Sequence, residues 1–386
     1  MADRHSFFVT CALGMEPVLV AELQALGAVG IQEQASGVIF EGDASLGWRA
    51  CLHLRTGSRV LQQLHRFDAR TPEELYEGVR AVDWSTLLDA DMTLSVRATT
   101  RKSRLDHTHF ISLKTKDAIV DRLRDDLGRR PSVNLDAPDV PISVHIASNK
   151  GAVFADLSGT PLFKRAYRQD AGEAPLKETL AASLILTAGY GGEETFVDPM
   201  CGAGTLAIEA ALIAARKAPG LGRSFAFERW RSFDEEARSV WTAMRAEATE
   251  AIRPAPPTPT VFGFDKDAHS VDRARVNAER AGVAGWVQFE RGDALNLVLP
   301  SPAGLLMANP PYGHRLGEEA EVAAMMERWG WHLKESAKGW RLAILSGQEN
   351  FRRYIPLKTS RTTHVYNGPI KCSLFEYKIF KARIES

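Results

Sequence analysis

Residues 304–312 read Gly-Leu-Leu-Met-Ala-Asn-Pro-Pro-Tyr, and this stretch decides how the rest of the chain is interpreted. It opens with a short apolar run, which is typical of a strand buried in a parallel sheet. Pro310 and Pro311 cannot continue that strand, because proline has no backbone N–H and a fixed φ. We therefore expect the chain to leave the sheet at its carboxyl edge, where open α/β sheets bind their ligands.

The polar end of this stretch has the chemistry to hold an exocyclic amino group. The Asn309 amide oxygen and the Pro310 carbonyl are two hydrogen-bond acceptors, and the Tyr312 ring lies close by in sequence. Two acceptors can hold both hydrogens of a planar amino nitrogen while an aromatic ring stacks on the heterocycle that carries it. Asn309, Pro310, Pro311 and Tyr312 are therefore the candidate catalytic segment.

A glycine-rich turn, Pro199–Thr205, follows the predicted strand Thr195–Asp198. Glycines between a strand and a helix let the backbone approach a ligand and direct N–H groups at it. Their spacing also satisfies the dinucleotide fingerprint, so the turn alone does not identify the ligand. A dinucleotide is disfavoured, because Asp198 would meet its pyrophosphate with a negative charge. The next acids, Asp265 and Asp267, also lie far beyond the ~20-residue spacing of an NAD site.

A ligand with an amino-acid end, a ribose and no phosphate fits these residues better, and S-adenosylmethionine is such a ligand. The carboxylate of Asp265 can accept both ribose hydroxyls. Asp293, which follows the predicted strand 287–290, can accept the adenine amino group. Each acid alone could equally cap a helix or form a salt bridge. Their order, at successive strand ends of one predicted sheet, favours the binding site.

Strands and helices alternate over the second half of the chain, which predicts an α/β fold with a mainly parallel sheet. The predicted strands are 195–198, 261–265, 287–290, 304–308, 341–345, 362–366 and 373–377. Only Asn367-Gly-Pro369 separates the last two, which is too short for a crossover helix. We therefore expect that edge pair to be antiparallel.

The first 157 residues are predicted to form an α+β binding module without a catalytic constellation. Thr71-Pro72-Glu73-Glu74 is typical of a helix start, with a hydroxyl cap, proline in the first turn and the spacing of a capping box. Strands near 141–146 and 152–157 predict a hairpin. His107 and His109 form an H-x-H pair, but no further ligand lies nearby in sequence, so a solvated loop is favoured over a metal site.

Composition indicates a globular protein of two or three domains. The chain has 386 residues, of which 45% are hydrophobic and 25% charged. No stretch approaches the ~20 apolar residues of a membrane helix, and residues 1–5 contain no apolar signal segment. The four cysteines are scattered, which argues against a disulfide framework or a zinc cluster. We therefore expect a cytoplasmic protein.

The formal net charge is zero, so no global field attracts nucleic acid. Local composition differs: residues 97–130 carry ten Lys/Arg against five Asp/Glu, and residues 341–386 carry nine against three. Solvated faces and RNA contact are equally compatible with these patches. The candidate RNA contacts are six basic residues of the first patch and two of a basic connector near 162–168: Arg97, Arg101, Lys102, Arg104, Lys114, Lys116, Arg165 and Arg168.

The motifs Asp198-Pro-Met-Cys-Gly-Ala-Gly-Thr205, Gly263-Phe-Asp-Lys-Asp267 and Asn309-Pro-Pro-Tyr-Gly313 resemble, in this order, those of class I methyltransferases that act on amino groups. Together with Pro175–Ala182, Asn367-Gly-Pro369 and the α+β half, they make the whole chain resemble the bacterial THUMP-domain methyltransferases. Within these it is most similar to the large-subunit ribosomal RNA guanine-N2 methyltransferases, the RlmL type.

This resemblance implies a class I (Rossmann-like) seven-stranded α/β methyltransferase domain over residues 158–386. It also implies a preceding ferredoxin-like and THUMP RNA-binding region over 1–157, with THUMP at about 44–157. It implies S-adenosylmethionine as the cofactor and RNA as the partner, without a metal, a membrane or an obligate protein partner. The implied cofactor residues are Glu178, Thr179, Asp198, Met200, Cys201, Gly202, Gly204, Thr205, Asp265, Lys266, Asp293, Ala294 and Asn309.

The implied reaction is methylation of the 2-amino group of a guanine in large-subunit ribosomal RNA. Transfer RNA guanine is the main alternative. A DNA amino-methyltransferase, a protein glutamine methyltransferase and an RNA-binding protein with an inactive methyltransferase fold are further alternatives. Some members of the family are fused to a second methyltransferase; this sequence ends at Ser386, and we expect that second activity to be absent.

Overall fold

The computed structural model of the protein describes residues 4–168, 176–311, 318–348 and 350–380. Contacts divide the chain into two compact units. The first contains Met1–Cys11, Val20–Leu162 and Gly220–Glu247, and the second contains Ala12–Leu19, Phe163–Pro219 and Ala248–Ser386. Residues 220–247 thus pack with the first unit, although their place in the sequence predicted that they belong to the second half of the chain. The domain boundary at 157/158 stays a prediction.

Up to residue 168 the chain alternates short helices with strands. In order they are β1 (His5–Thr10), α1 (Glu16–Ala25), β2 (Val29–Gln34), β3 (Gly37–Gly42), α2 (Ala44–His53), β4 (Arg59–Asp68), α3 (Pro72–Arg80), β5 (Thr93–Arg101), α4 (Thr108–Leu127), β6 (Ser132–Val133), β7 (Val140–Ala147) and β8 (Lys150–Asp156). Their strands form one sheet in the order β2-β3-β1-β4-β8-β7-β5-β6. The expected strands and helices are present, and β2 and β6 are additional.

The start of α3 shows why local sequence predicted this region well. The Thr71 hydroxyl accepts a hydrogen bond from the Glu74 backbone N–H (3.2 Å), and Pro72 occupies the first turn. The Glu74 carboxylate in turn accepts from the backbone N–H of Arg70 (2.6 Å). These bonds satisfy backbone donors that the helix itself cannot pair. The expected helix start is confirmed.

The second unit contains the doubly wound part of the chain. Its elements, with one helix that begins in the first unit, are α5 (Glu178–Thr187), β9 (Phe196–Asp198), α6 (Thr205–Ala214), α7 (Glu235–Glu250), β10 (Val261–Asp265), α8 (Ala268–Ala281), β11 (Val287–Arg291), β12 (Leu305–Ala308), α9 (Glu318–Ser336), β13 (Arg341–Ser346), β14 (Thr359–Asn367) and β15 (Ile370–Lys378). The described strands form a seven-stranded sheet in the order β11-β10-β9-β12-β13-β15-β14.

The pairing directions in this sheet match the expectation from sequence. β9 pairs in parallel with β10 and with β12, and β12 pairs in parallel with β13. β14 and β15 form the expected antiparallel pair, and β15 also runs antiparallel to β13. The predicted fold class, a seven-stranded α/β methyltransferase-type domain preceded by an α+β module, is confirmed.

The central strands are buried on both faces, which explains their continuous apolar sequences. On one face Phe196 of β9 and Met307 of β12 pack in a cluster with residues of α5, α6 and α8. On the other face Val197 and Leu306 pack with residues of α9, among them Trp329. Because both faces are covered, a ligand of these strands has access at their carboxyl ends.

The turn between β9 and α6 contains two glycines, and an added side chain should lower the unfolding free energy by a different amount at each. Gly202 and Gly204 both have positive φ (52° and 84°). A Cβ atom at Gly202 would have no neighbour within 4 Å, whereas one at Gly204 would lie 2.9 Å from Phe289 and 3.0 Å from Ala274.

We therefore expect Gly202→Ala to lower the unfolding free energy by ~1–2 kcal/mol, the cost of the left-handed backbone. Gly204→Ala should add a further ~1–3 kcal/mol, because the methyl group overpacks the contact between α6, α8 and β11. Urea unfolding of both variants measures the difference. Equal midpoints for the two variants would contradict the packing assigned to Gly204.

Candidate active site

In the second sheet, β10 and β11 follow β9 on one side, and β12 and β13 lie on the other side of β9. The order of the strands therefore changes direction at β9. Such a reversal opens a crevice at the carboxyl edge of an α/β sheet. Register shows its shape: Asp198 pairs with Gly263, and Val197 pairs with Leu306. Asp265 and Asn309 therefore both extend two residues beyond the level of Asp198. With strands ~4.8 Å apart, these two residues flank the shorter strand at about 10 Å from each other.

The glycine turn is tied across this crevice to β10. The backbone N–H of Cys201 donates to the Phe264 carbonyl (2.8 Å), and that of Gly202 donates to Asp265 Oδ2 (2.9 Å). Asp265 Oδ1 accepts from the backbone N–H of Asp267 (3.0 Å). Each carboxylate oxygen can accept a second bond. Asp265 is thus fixed in orientation and keeps capacity for two more donors.

Asp198 lies at the bottom of the crevice and is 1% exposed. Its Oδ1 accepts a hydrogen bond from the backbone N–H of Met200 (3.2 Å). Burial, with a smaller contribution from the charge of Asp265, raises the pKa of Asp198 to about 8. A carboxyl group in this setting gains its charge readily only when a cation comes close to it.

The remaining predicted cofactor residues of the turn are partly covered. Met200 is half-buried, and Cys201 is buried. Burial, and then the charges of Asp198 and Asp265, raise the pKa of the Cys201 thiol well above its usual range, so it stays neutral. The Asn277 side chain on α8 donates to the carbonyl of Ala203 (3.0 Å), which holds the turn from the other side.

The outer end of the predicted cofactor site lies after β10 and β11. Lys266 and Asp293 are exposed, and Ala294 is buried. Asp293 caps a short 3₁₀ turn, with its Oδ1 accepting from the Leu295 N–H (3.0 Å). A cavity of about 400 Å³ borders Asp293, and Phe264 forms part of its wall. An acceptor thus borders a cavity with aromatic rings in its wall, a combination that suits a heterocycle with an amino group.

The candidate catalytic segment follows β12 directly. Ala308 is fully buried, Asn309 is half-buried, Pro310 is buried and Pro311 is exposed. The chain thus leaves the sheet after Ala308, as expected. Tyr312 lies outside the described residues, so its predicted stacking role has no structural description.

Glu178 and Thr179 open α5, and both are buried. Arg168 Nε lies 3.6 Å from Glu178 Oε1, and its Nη2 donates to Thr205 Oγ1 (2.5 Å) and to the Leu176 carbonyl (3.0 Å). Burial raises the pKa of Glu178, which the Arg168 charge opposes. The guanidinium thus connects the start of α5 to the first residue of α6.

Arg165 is also buried in the second unit. Its Nε lies 3.3 Å from Glu209 Oε1, and Tyr167 donates to the same oxygen (3.0 Å). The side chains of Arg165 and Arg168 are only 2% and 8% exposed. The prediction that these two arginines contact RNA does not fit their positions, because each is withdrawn from the surface by a buried carboxylate.

The other predicted RNA contacts lie in the first unit. Arg97, Arg101, Lys102 and Arg104 are exposed on β5 and the loop after it. The two lysines of α4 differ from them: Lys114 is half-buried with its Nζ 4.7 Å from the centre of the Tyr76 ring, and Lys116 pairs with Asp117.

His107 acts as a helix cap, since its Nδ1 accepts from the backbone N–H of Phe110 (3.1 Å) at the start of α4. Within residues 4–168, 176–311, 318–348 and 350–380, no three His, Cys, Asp or Glu side chains are grouped so that they could hold a metal ion. None of the helices in these ranges is both long and apolar enough to span a membrane.

Comparison with known families accounts for almost the whole chain. Residues 6–61 match the RlmL ferredoxin-like domain, residues 69–156 match the THUMP domain, and residues 165–376 match the RMKL-like methyltransferase domain. The fold and the crevice thus define a THUMP-domain methyltransferase of class I. The last match spans more than half of the sequence, and the chain belongs to the RMKL-like methyltransferase family.

Individual relatives agree with this membership. The chain is 40% identical over 99% of its length to the ribosomal RNA large subunit methyltransferase K/L of Methylococcus capsulatus, and it covers 52% of that protein. The chain spans about half the length of the curated relatives it matches. The resemblance noted from the sequence motifs is confirmed.

Solved structures show the same architecture. SMU.472, provisionally assigned as a methyltransferase and solved with SAH, is 32% identical, with a TM-score of 0.89 over 99% of this chain and 100% of that one. A Listeria monocytogenes protein described as a predicted N6-adenine-specific DNA methylase is 31% identical, with a TM-score of 0.88 over 97% of this chain and 96% of that one.

The raised pKa of Asp198 predicts a specific pH dependence of stability. Its folded pKa of about 8 exceeds the unfolded value of about 4, so the native state binds the extra proton. Asp198 therefore lowers the unfolding free energy as pH rises through about 4 to 8, by up to ~1.4 kcal/mol per pH unit.

The variant Asp198→Asn should remove this dependence, so that the variant gains stability over the wild type as pH increases. Urea unfolding at pH 5, 6.5 and 8 measures the two slopes without any ligand. Parallel slopes for wild type and variant would show that Asp198 is ionised throughout and that its burial costs little.

Proposed function

We propose that the protein transfers a methyl group from S-adenosylmethionine to the exocyclic 2-amino group of a guanine in large-subunit ribosomal RNA. The observation that carries the proposal is the crevice in which Asp265 and Asn309 flank the shorter strand that ends at the buried Asp198. One side offers acceptors for a nucleoside, and the other offers acceptors for an amino nitrogen. We place this activity in the cytoplasm.

The residues of the crevice fit the cofactor. S-adenosylmethionine, when bound, supplies an electrophilic methyl group on a sulfonium together with a cationic amino-acid end. The buried Asp198 provides the opposite charge, and a side chain at Gly202 would extend into open space beside it. Asp265 keeps capacity for ribose hydroxyls, while Asp293 and the wall at Phe264 suit the adenine.

The remaining cofactor residues act mainly through the backbone. Met200, Cys201, Gly204 and Thr205 shape the turn, while Glu178 and Thr179 support it from α5. Lys266 and Ala294 adjoin the ribose and adenine positions. Glu178, Thr179, Cys201 and Thr205 are buried, which suits a supporting role.

The candidate catalytic segment positions the methyl acceptor. The Asn309 side-chain oxygen and the Pro310 carbonyl accept the two amino hydrogens, Pro311 directs the chain away from the sheet, and Tyr312 stacks on the base. The nitrogen lone pair then forms the bond to the methyl carbon as the carbon–sulfur bond breaks. The nitrogen loses its extra proton to water afterwards, so no strong base is needed and the rate depends on positioning.

The guanine must leave its stack to reach this segment. Flipping a base costs a few kcal/mol, and stacking on an aromatic ring returns ~1–3 kcal/mol. The exposed Arg97, Arg101, Lys102 and Arg104 provide phosphate contacts that hold the RNA. The lysines of α4, Lys114 and Lys116, are weaker candidates because both already have partners.

Comparison of modified nucleosides tests this proposal. We expect large-subunit ribosomal RNA from cells lacking the protein to miss one N2-methylguanine, which the purified protein and labelled S-adenosylmethionine restore. Parallel reactions with transfer RNA and with DNA test the two main alternatives. Methylation confined to either of those, or cofactor binding without transfer to any nucleic acid, would contradict the proposal.

Two variants test the roles proposed for the two sides of the crevice separately. Asn309→Ala should lower kcat by roughly 10²–10³, by analogy with the loss of one preorganised polar contact. Asp265→Ala should instead weaken cofactor binding by ~1.5–3 kcal/mol. Calorimetry gives the affinities, and single-turnover methyl transfer gives the rates. Near-wild-type turnover of Asn309→Ala would exclude its assigned role.

A further inference from the structure

The strands β4, β8, β7 and β5 share one open face. No sequence motif groups the side chains that lie on it. In register, Thr99 pairs with His145, His145 pairs with Ala152, and Ala152 pairs with Arg66. Residues directly paired across a sheet point to the same side. Thr99, His145, Ala152 and Arg66 therefore form one row across four strands.

Arg97 and Arg101 lie on the same side of β5 as Thr99, because they are two residues away from it in each direction. We define the basic sheet face as Arg66, Arg97, Thr99, Arg101 and His145. All five residues are exposed. The alternate residues of β7, such as Val144 and Ile146, are buried on the opposite side.

The charge of this region is distributed unequally between its two sides. On the helical side, Arg80 pairs with Asp125 (2.6 Å), Arg122 pairs with Asp126 (2.6 Å), and Arg124 pairs with Asp121 (2.9 Å). On the basic sheet face, Arg66, Arg97 and Arg101 form no ion pair within the part of the chain that the structure describes. Four basic residues of 97–130, Arg97, Arg101, Lys102 and Arg104, therefore lie on β5 and the loop after it.

The shape of this face also differs from that of a flat charged surface. Ser143, Ala147 and Ala152 are the small side chains of this face. The row of Arg97 continues through Ser143 to Phe154, and the row of Arg101 continues through Ala147 to Lys150, which pairs with Asp68. Three strand spacings separate Arg66 from Thr99, so the floor is about 14 Å wide. The His145 ring stands on this floor and is held by a hydrogen bond between its Nδ1 and the Thr99 hydroxyl (2.8 Å).

We propose that a single-stranded segment of the RNA substrate crosses the basic sheet face, with its phosphates at Arg66, Arg97 and Arg101 and one base stacked on His145. This inference rests on the proposed function, and it adds the path of the RNA and two contacts, Arg66 and His145. A cationic groove with an aromatic platform is the arrangement that binds single-stranded nucleic acid without reading its sequence. Because the arginines on the helical side are paired with carboxylates, they attract the phosphates less than the unpaired arginines of the sheet face do.

Further support comes from the neutral state of His145. Partial burial, and then the charge of Arg101, lower the pKa of its imidazole, which favours the uncharged ring at pH 7. An uncharged ring contributes stacking and not counterion release. Arginine and histidine contacts can therefore be distinguished by their response to salt.

The test is the binding of a fluorescent 12-nucleotide single-stranded RNA to the full chain between 50 and 200 mM salt. Arg66→Ala should weaken binding about fourfold near 150 mM salt and reduce the slope of log affinity against log salt by ~0.7. His145→Ala should weaken binding severalfold and leave that slope unchanged. Arg124→Ala, which removes an arginine from the helical side, should change neither quantity.

A second pair of variants adds a charge and leaves every proposed contact in place. Ala152→Glu puts a carboxylate on the floor of the face and should reduce binding more than tenfold. Leu113→Glu adds the same charge to an exposed position of α4 and should have little effect. Circular dichroism confirms that all variants are folded.

Three results would overturn this inference: wild-type binding and salt slope in Arg66→Ala, equal losses in the Ala152 and Leu113 variants, or no binding of the oligonucleotide by the wild-type protein. In each case, methyl transfer by the wild-type chain to ribosomal RNA would show that the proposed function still holds. If that transfer is absent while the oligonucleotide binds as described, the proposed function fails and the RNA path remains.

Discussion

The hydrogen bond from the Gly202 backbone N–H to Asp265 is the interaction on which the crevice depends. It fixes the glycine turn, which follows one strand, against the acid that ends the next strand. The positive φ values of Gly202 and Gly204 make this path of the chain possible. Together with the bond from the Cys201 N–H to the Phe264 carbonyl, it holds the turn at a fixed distance from the acid that we propose for the ribose.

Two neighbouring carboxyl groups of the crevice have different surroundings. Asp265 accepts two backbone N–H groups and is partly exposed. Asp198 accepts one and is almost fully buried, so its pKa is raised. The last residues of the paired strands β9 and β10 thus suit the different tasks that we propose for them, Asp265 as an acceptor and Asp198 as a group that responds to a cation. Environment, and not residue type, assigns these tasks.

Sequence predicted the features that depend on local signals. The hydroxyl cap at Thr71, the glycine turn after Asp198 and the antiparallel pair around Gly368 each follow from a few adjacent residues, and the structure contains all three. The Glu74 carboxylate accepts from Arg70 and not from Thr71, so the reciprocal bond of a capping box is replaced by one to the preceding residue. The strand Val29–Gln34 was missed because it is mostly exposed and carries few apolar residues, so it has no clear alternation. It exists because β3 pairs with it.

Charges were harder to predict than strands, because their roles depend on tertiary partners. Arg165 and Arg168 had the composition of an RNA contact, yet Glu209 and Glu178 hold them in the interior. No local pattern signals such pairs. In contrast, the spacing of Arg122 and Asp126 on α4 is a local signal that was available, and it would have shown that helix charges are paired.

The second unit keeps the ion pairs of two buried arginines in its interior, although such pairs stabilise a fold little once the cost of desolvation is counted. The contacts of one of these arginines explain why. Arg168 contacts three different parts of the chain: a hydroxyl at the start of α6, a backbone carbonyl and a carboxylate of α5. A hydrophobic side chain could fill the same volume but could not orient these groups. A lysine would supply one point charge where the guanidinium supplies a planar fork of donors. Arg168 therefore sets the direction of α6, and so of the glycine turn, at a cost in stability that an apolar core would avoid.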